Sequence, residues 1–143
     1  MSKLTLGVIG NSKKEDERRV PIHPKHLSRL PEDIRRQLIF EQGYGEPFGI
    51  ADSEIVAQTG GVATRHELLA DIGTVIIAQP VLADLQELRD GGILWGYVHC
   101  VQQRDITQAA LDRKLTLIAF EEMFVWTPAG QIGRQTFYKN NEM

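Results

Sequence analysis

The strongest constraint on this chain is an alternation. Short apolar runs, rich in β-branched residues, lie at 4–9, 38–40, 74–78, 93–98 and 115–120. Between them, apolar residues recur at helical spacing. Pro24 suits the first turn of a helix, with Leu27 and Leu30 on one face. Asp52 is placed to cap a short helix carrying Ile55 and Val56. Thr64 and Glu67 have capping-box spacing ahead of Leu68 and Leu69. Leu82, Leu85 and Leu88 repeat every three residues, and Asp105 with Gln108 resembles another capping pair. After residue 120 the pattern decays, and no clear element is expected.

Strand–helix alternation builds parallel sheets, because a parallel pair needs a long crossover between its strands. The expectation is an α/β, three-layer domain of flavodoxin-like or Rossmann-like kind. It has a mostly parallel five-strand sheet and helices on both faces. A chain of 143 residues with 42% hydrophobic content is enough for one such domain and its core.

Composition excludes several classes. The net charge of −3, with acids and bases mixed, argues against a nucleic-acid surface. No apolar run approaches the ~20 residues of a membrane helix, and the N-terminus lacks the long apolar core of a signal peptide. The single cysteine, Cys100, forms no internal disulfide, which fits a reducing cytoplasm. Cysteine and histidine spacing gives no metal site.

Open parallel sheets bind ligands at the carboxyl ends of their strands. There the sequence places Arg18 and Arg19 after the first strand, Gln79 after the third, His99 after the fourth, and Glu121 and Glu122 after the fifth. An arginine fork grips a carboxylate with two hydrogen bonds. One of Arg18 and Arg19 is a candidate anchor for an amino or keto acid. The alternative is that both are solvated members of a mixed-charge loop. His99 stands where a histidine can exchange protons near neutral pH, or where it is half-buried and bonded to backbone. Strand neighbours point to opposite faces, so Cys100 is read as core, and at most one of Glu121 and Glu122 faces a pocket. The remaining histidines, His23, His26 and His66, are read as surface or helix-start residues. The segment Gly43-Tyr44-Gly45-Glu46-Pro47-Phe48-Gly49 has the look of a dinucleotide loop, but its third glycine comes late and Pro47 interrupts it. It is read as a tight turn.

Several segments together resemble one family. Leu6-Gly7-Val8-Ile9 with Glu17-Arg18-Arg19-Val20-Pro21-Ile22-His23-Pro24 is similar to the opening of the alanine dehydrogenase and pyridine nucleotide transhydrogenase N-terminal domain. So are Glu41 to Gly45, Phe48 to Asp52, Tyr97-Val98-His99 and Ile118 to Glu121. The segments Gly96 to Gln102, Asp105 to Thr107, Glu121 to Phe124 and Gly133 to Glu142 resemble its N5-(carboxyethyl)ornithine synthase branch most.

The resemblance implies a catalytic His99 and an Arg19 that binds the substrate carboxylate, with Gln79 and Glu121 as further substrate-binding candidates. It implies the substrate-binding part of an NAD(P)-dependent amino-acid oxidoreductase that condenses a 2-keto acid such as pyruvate with an amino-acid amine. The family carries a Lys-Glu-Pro setting near the third strand, where this chain has Ala78-Gln79-Pro80. That departure moves the expectation away from plain alanine chemistry: either another group takes the lysine's role, with Gln79 as a candidate hydrogen-bond donor, or the substrate's own amine does part of the work.

Residues 1–125 are expected to form the substrate domain. Residues 126–143 are expected to form a crossover toward an NAD(P)-binding domain that supplies the cofactor, NAD or NADP. This chain alone is expected to bind no cofactor. An ending at Met143, inside a resembling segment, is expected of a truncated chain. A possible homo-oligomer is also implied. The rival expectations are a non-enzymatic small-molecule-binding or interaction domain, and a fragment of a transhydrogenase subunit.

Overall fold

The structure is a computed structural model, and it describes residues 4–138. The motif residues Lys139, Asn140, Asn141 and Glu142, and Met143, lie outside the described residues.

Strand β1 (Leu6–Ile9) leads into an irregular loop and a 3-10 turn (Pro24–Arg29), then helix α1 (Glu32–Arg35). Strand β2 (Leu38–Glu41), a 3-10 turn (Glu46–Phe48), helix α2 (Asp52–Gln58) and strand β3 (Gly61–Ala63) follow. A π-helical turn (Glu67–Ile72) precedes β4 (Thr74–Ile77), α3 (Leu82–Glu87), β5 (Ile93–Gly96), α4 (Arg104–Asp112) and β6 (Thr116–Ala119). The chain closes with a 3-10 turn (Phe120–Glu122) and two more strands, β7 (Phe124–Trp126) and β8 (Ile132–Gln135).

The main sheet has the order β3-β2-β1-β4-β5-β6, and every pairing in it is parallel. Its register centres on β1, where Val8 faces Phe40 on one side and Ile76 on the other. The order runs outward in both directions from β1 and β4. That reversal opens a crevice at the carboxyl edge between them.

Adjacent residues of one strand enter opposite faces, which explains the near-continuous apolar strands. Val8 and Ile76 join Leu27, Phe40, Tyr44, Ile55 and Phe120 on one face. Ile9, Val75 and Ile77 join Leu68, Leu69, Leu85, Leu88, Leu94 and Ile106 on the other. Two apolar clusters sandwiching one sheet make the expected three-layer α/β domain.

The sheet has six strands, not five. The extra one, Gly61–Ala63, is three residues long and only half-buried, so it has no apolar run to announce it. The tail, expected to lack structure, forms the antiparallel β7–β8 ribbon. The fifth strand of the sheet ends at Gly96, two residues before the apolar run does.

The caps also differ in part. Thr64 and Glu67 make the full reciprocal box: the Thr64 N–H donates to Glu67 Oε2 at 2.8 Å, and the Glu67 N–H donates to Thr64 Oγ1 at 3.2 Å. Asp52 is the first residue of α2, not its cap, and its carboxylate accepts from the Gly43 N–H at 3.0 Å. Gln103 precedes α4, and Asp105 accepts from the neighbouring Ile106 N–H instead of pairing with Gln108. Both aspartates serve a neighbouring amide, which spacing alone does not distinguish from a cap.

Candidate functional site

The loops after β1, β4, β5 and β6 converge on one sheet edge. Between them lies a cleft of about 650 Å³ with a mainly apolar lining. Trp95, Tyr97, Phe120 and Phe137 form its aromatic wall, and Ile76 and Ala78 its floor. Arg18, Arg19 and His23 are the polar residues that line it.

The loop after β1 has no regular structure, so side chains hold it. At its start, Glu41 Oε2 accepts from the Gly10 and Asn11 N–H groups at 2.8 and 3.2 Å. Asp84, fully buried, accepts from the Lys13 N–H, from Ser12 Oγ and from the Val81 N–H. Arg65 closes this cluster. Its guanidinium donates to Asp84, to Glu87 Oε2 at 2.9 Å and to the Asn11 carbonyl at 2.6 Å. Lys13 pairs with Glu87. A buried carboxylate persists only when paired and hydrogen-bonded, and Asp84 is both. At the far end of the loop, the Tyr44 hydroxyl donates to the Ile22 carbonyl at 2.6 Å and accepts from the Ile22 N–H at 3.1 Å. Burial pushes that phenol's pKa well above its ordinary value.

Arg19 sits on the span between these anchors. Its Nε and Nη2 donate to the two Glu17 carboxylate oxygens at 2.8 and 2.7 Å, a bidentate pair. The guanidinium holds the Glu17 carboxyl down to about 2, and Glu17's own side chain is only 4% exposed. Nη2 also donates to Gln79 Oε1, while Nη1 makes no hydrogen bond among the described residues. The guanidinium lies 5.7 Å from the centre of the Tyr97 ring, within cation–π range. Arg18 lines the same cleft, so both arginines reach it.

Gln79 is an acceptor in this arrangement, not the expected donor. Its Oε1 takes a bond from Lys14 Nζ at 2.8 Å as well as the one from Arg19, and its carbonyl takes Ser12 Oγ at 2.6 Å. Carboxamide oxygens carry the partial negative charge, so two nearby cations fix which end faces them.

His99 lies beyond β5, so strand alternation does not separate it from Cys100. A left-handed backbone, with φ of 48°, does so instead. Its N–H donates to Glu121 Oε1 at 2.6 Å, and its Nδ1 stands 3.8 Å from the same oxygen, too far for a hydrogen bond. The ring stacks on Tyr97, with centroids 6.1 Å apart and planes 18° from parallel. Cys100 packs against the core cluster, and burial pushes its thiol pKa up. Glu121 is half-buried and Glu122 exposed, because both lie on a 3-10 turn. The Tyr97 hydroxyl and Glu121 Oε2 are buried without a hydrogen-bond partner among the described residues.

Of the candidates, Arg19 lines the cleft directly. Gln79 touches Arg19, His99 stacks against the cleft residue Tyr97, and Glu121 reaches the site through the His99 backbone. Sequence reasoning missed Lys14, Phe137 and the role of His23, whose ring packs edge-on against Phe48 at 4.5 Å. The tyrosine of the Tyr97-Val98-His99 motif was the one available signal for Tyr97.

The glycine-containing turns at 10–11 and 43–49 do not form a dinucleotide cradle. A phosphate cradle needs free N–H groups converging at a helix start. Here the amides of Gly10 and Asn11 go to Glu41, and that of Gly43 goes to Asp52. The Tyr44, Glu46 and Phe48 N–H groups bond to carbonyls within their own turn. Gly43 and Gly49 have φ of 77° and 71°, the left-handed turn geometry that glycine permits.

These features define a doubly wound α/β domain with an aromatic cleft and two arginines at its carboxyl edge. Residues 7–130 match the family "Alanine dehydrogenase/PNT, N-terminal domain", and the chain belongs to that family. It is 32% identical over 128 residues to an alanine dehydrogenase of Mycobacterium tuberculosis, covering 87% of this chain and 33% of that protein. It is also 32% identical over 88 residues to an N(5)-(carboxyethyl)ornithine synthase of Clostridium botulinum, covering 56% of this chain and 27% of that protein. Among solved structures, an L-alanine dehydrogenase superposes with a TM-score of 0.69 at 24% identity, over 89% of this chain and 34% of the other. A transhydrogenase from Sinorhizobium meliloti superposes with a TM-score of 0.69 at 18% identity, over 87% of this chain and 37% of the other. These two likenesses show the fold alone. The chain spans about a third of the length of the curated relatives named here. Among the described residues, no helix is long and apolar enough to cross a membrane.

Proposed function

We propose that this chain is the substrate-binding domain of a cytoplasmic NAD(P)-dependent amino-acid oxidoreductase that joins a 2-keto acid to an amino-acid amine. The observation that carries the reading is the placement of Arg19. Its guanidinium lines an aromatic cleft, and the face of Tyr97 that it approaches belongs to the ring on which His99 stacks.

Arg19 binds the keto-acid carboxylate through Nη1, whose two donors are unused among the described residues, while Glu17 keeps the guanidinium plane fixed. Desolvation by the aromatic wall strengthens that ion pair. His99 holds or releases a proton at the substrate carbonyl or imine, with its backbone locked by Glu121. Gln79 keeps the cations in place before the ligand arrives. Ala78 supplies no amine at the strand end, which favours a secondary-amine product over alanine. Residues 1–125 form the substrate domain, and the segment from residue 126 leads toward the part of the protein that binds NAD or NADP. That cofactor supplies the hydride. The assembly is a homo-oligomer.

The test is titration with pyruvate followed by amide chemical shifts. Shifts at residues 17–20, 79 and 97–99, abolished in Arg19→Ala, support the reading. Pyruvate binding unchanged in Arg19→Ala overturns the anchor assignment.

A further inference from the structure

Lys14 has no place in the function proposed above, yet its geometry is specific. Its ammonium donates to Gln79 Oε1 at 2.8 Å and stands 3.8 Å from Glu17 Oε2. The same Gln79 oxygen also accepts from Arg19 Nη2. Two full cations therefore converge on one neutral oxygen.

The nearby charges do not cancel. Lys14 and Arg19 contribute +2 and Glu17 contributes −1, leaving +1. A neutral amide oxygen is a weak partner for two cations compared with an anion. The site is thus arranged for one further negative charge and more than one acceptor atom. Lys14 is 39% exposed at its side chain, so a ligand can reach it without unfolding the loop. Its backbone is fixed, because the Lys14 N–H donates to Ser12 Oγ and Ser12 in turn bonds to Gln79 and Asp84.

We propose that Lys14 is a second ligand-contacting residue of the keto-acid subsite. It donates to the 2-keto oxygen while Arg19 holds the adjacent carboxylate, and Gln79 parks both cations when the subsite is empty. A 2-keto acid is the chemical class that fits, since its carboxylate and keto oxygens lie side by side and together accept from two cations. A simple carboxylate satisfies Arg19 alone. This inference rests on the keto-acid reading given above.

The experiment compares binding of pyruvate and propionate, which differ in the keto oxygen, by isothermal titration or amide shifts. The parent chain is expected to prefer pyruvate about tenfold, the worth of one hydrogen bond from a charged donor. Lys14→Met is expected to bind the two acids equally, and the lost positive charge is expected to weaken both. Lys14→Arg is expected to restore part of the preference. Lys13→Met removes the neighbouring ammonium, which pairs with Glu87 instead, and is expected to change nothing. Thermal melting verifies that each variant is folded. Should Lys14→Met be unfolded, Lys14→Gln takes its place. A full preference for pyruvate in the Lys14 variant overturns this inference and leaves the Arg19 reading standing. A parent chain that binds neither acid overturns both.

Discussion

Glu121 holds His99 by the backbone and not by the ring: Oε1 accepts the His99 N–H at 2.6 Å while Nδ1 stays 3.8 Å away. The carboxylate thereby secures a left-handed residue, with φ of 48°, without a hydrogen bond to the ring.

The backbone at position 99 should therefore tolerate glycine. His99→Gly removes a left-handed cost of about 1 kcal/mol but adds freedom to the unfolded chain of similar size. Stability in urea is expected to stay within about 1 kcal/mol of the parent, whereas the β-branched His99→Val loses more. A large loss in the glycine variant contradicts the backbone argument.

Glu17 predicts an acid-sensitive step. Its carboxyl ionises near 2 in the folded chain, against an ordinary 4.5, because of Arg19. The ionised pair thus stabilises the fold above pH 4.5, and that contribution fades as pH falls from 4.5 toward 2. Arg19 is 57% exposed, so solvent screens part of the effect. Melting temperature against pH is expected to be flatter across that window in Glu17→Gln than in the parent.

Asp84 and Arg65 form a pair that is costly to break on one side. Asp84→Ala leaves Arg65 with Glu87 and the Asn11 carbonyl, but it strips the acceptor from the Lys13 and Val81 N–H groups. A loss of about 3–5 kcal/mol is expected in denaturant unfolding. A change below 1 kcal/mol refutes the anchoring role.

Gly96 ends β5 where no side chain fits. An added Cβ collides with the Ile77 carbonyl oxygen, which cannot swing away as a side-chain tip can. Gly96→Ala is expected to destabilise by at least about 1–3 kcal/mol and to displace Tyr97 from the cleft wall. Circular dichroism melting checks the first expectation, and aromatic chemical shifts the second.

The layers of the fold were legible because β1, β2 and β4 are buried on both faces, and the less buried β5 and β6 still carry continuous apolar runs. The strand β3 was not, since Gly61-Val62-Ala63 is only three residues long and half-buried, with no apolar run. The β7–β8 ribbon escaped notice because Val125, Trp126 and Ile132 stay exposed and follow no burial pattern. At the site, the rule of strand carboxyl ends located Arg19, Gln79, His99 and Glu121 near one edge. It did not reveal who touches whom. Lys14 meets Gln79 across 65 positions of sequence, and no local spacing encodes such a meeting. Gln79 turned out to accept because two cations surround it, a fact of position and not of residue type.

The Tyr44 hydroxyl makes two hydrogen bonds to Ile22, acting for that residue as a missing strand neighbour would. With Asp84 and Glu41 fastening Gly10 to Lys13, the loop behaves as an arch clamped at both feet and carrying Arg19 on its span. A clamped arch can flex but cannot slide. Capture and release of an acid at its crown then require no change in how the chain is threaded. Amide hydrogen exchange should register this as slow rates at Gly10, Asn11, Lys13 and Ile22 on either side of fast exchange at Glu15, Asp16 and Arg18.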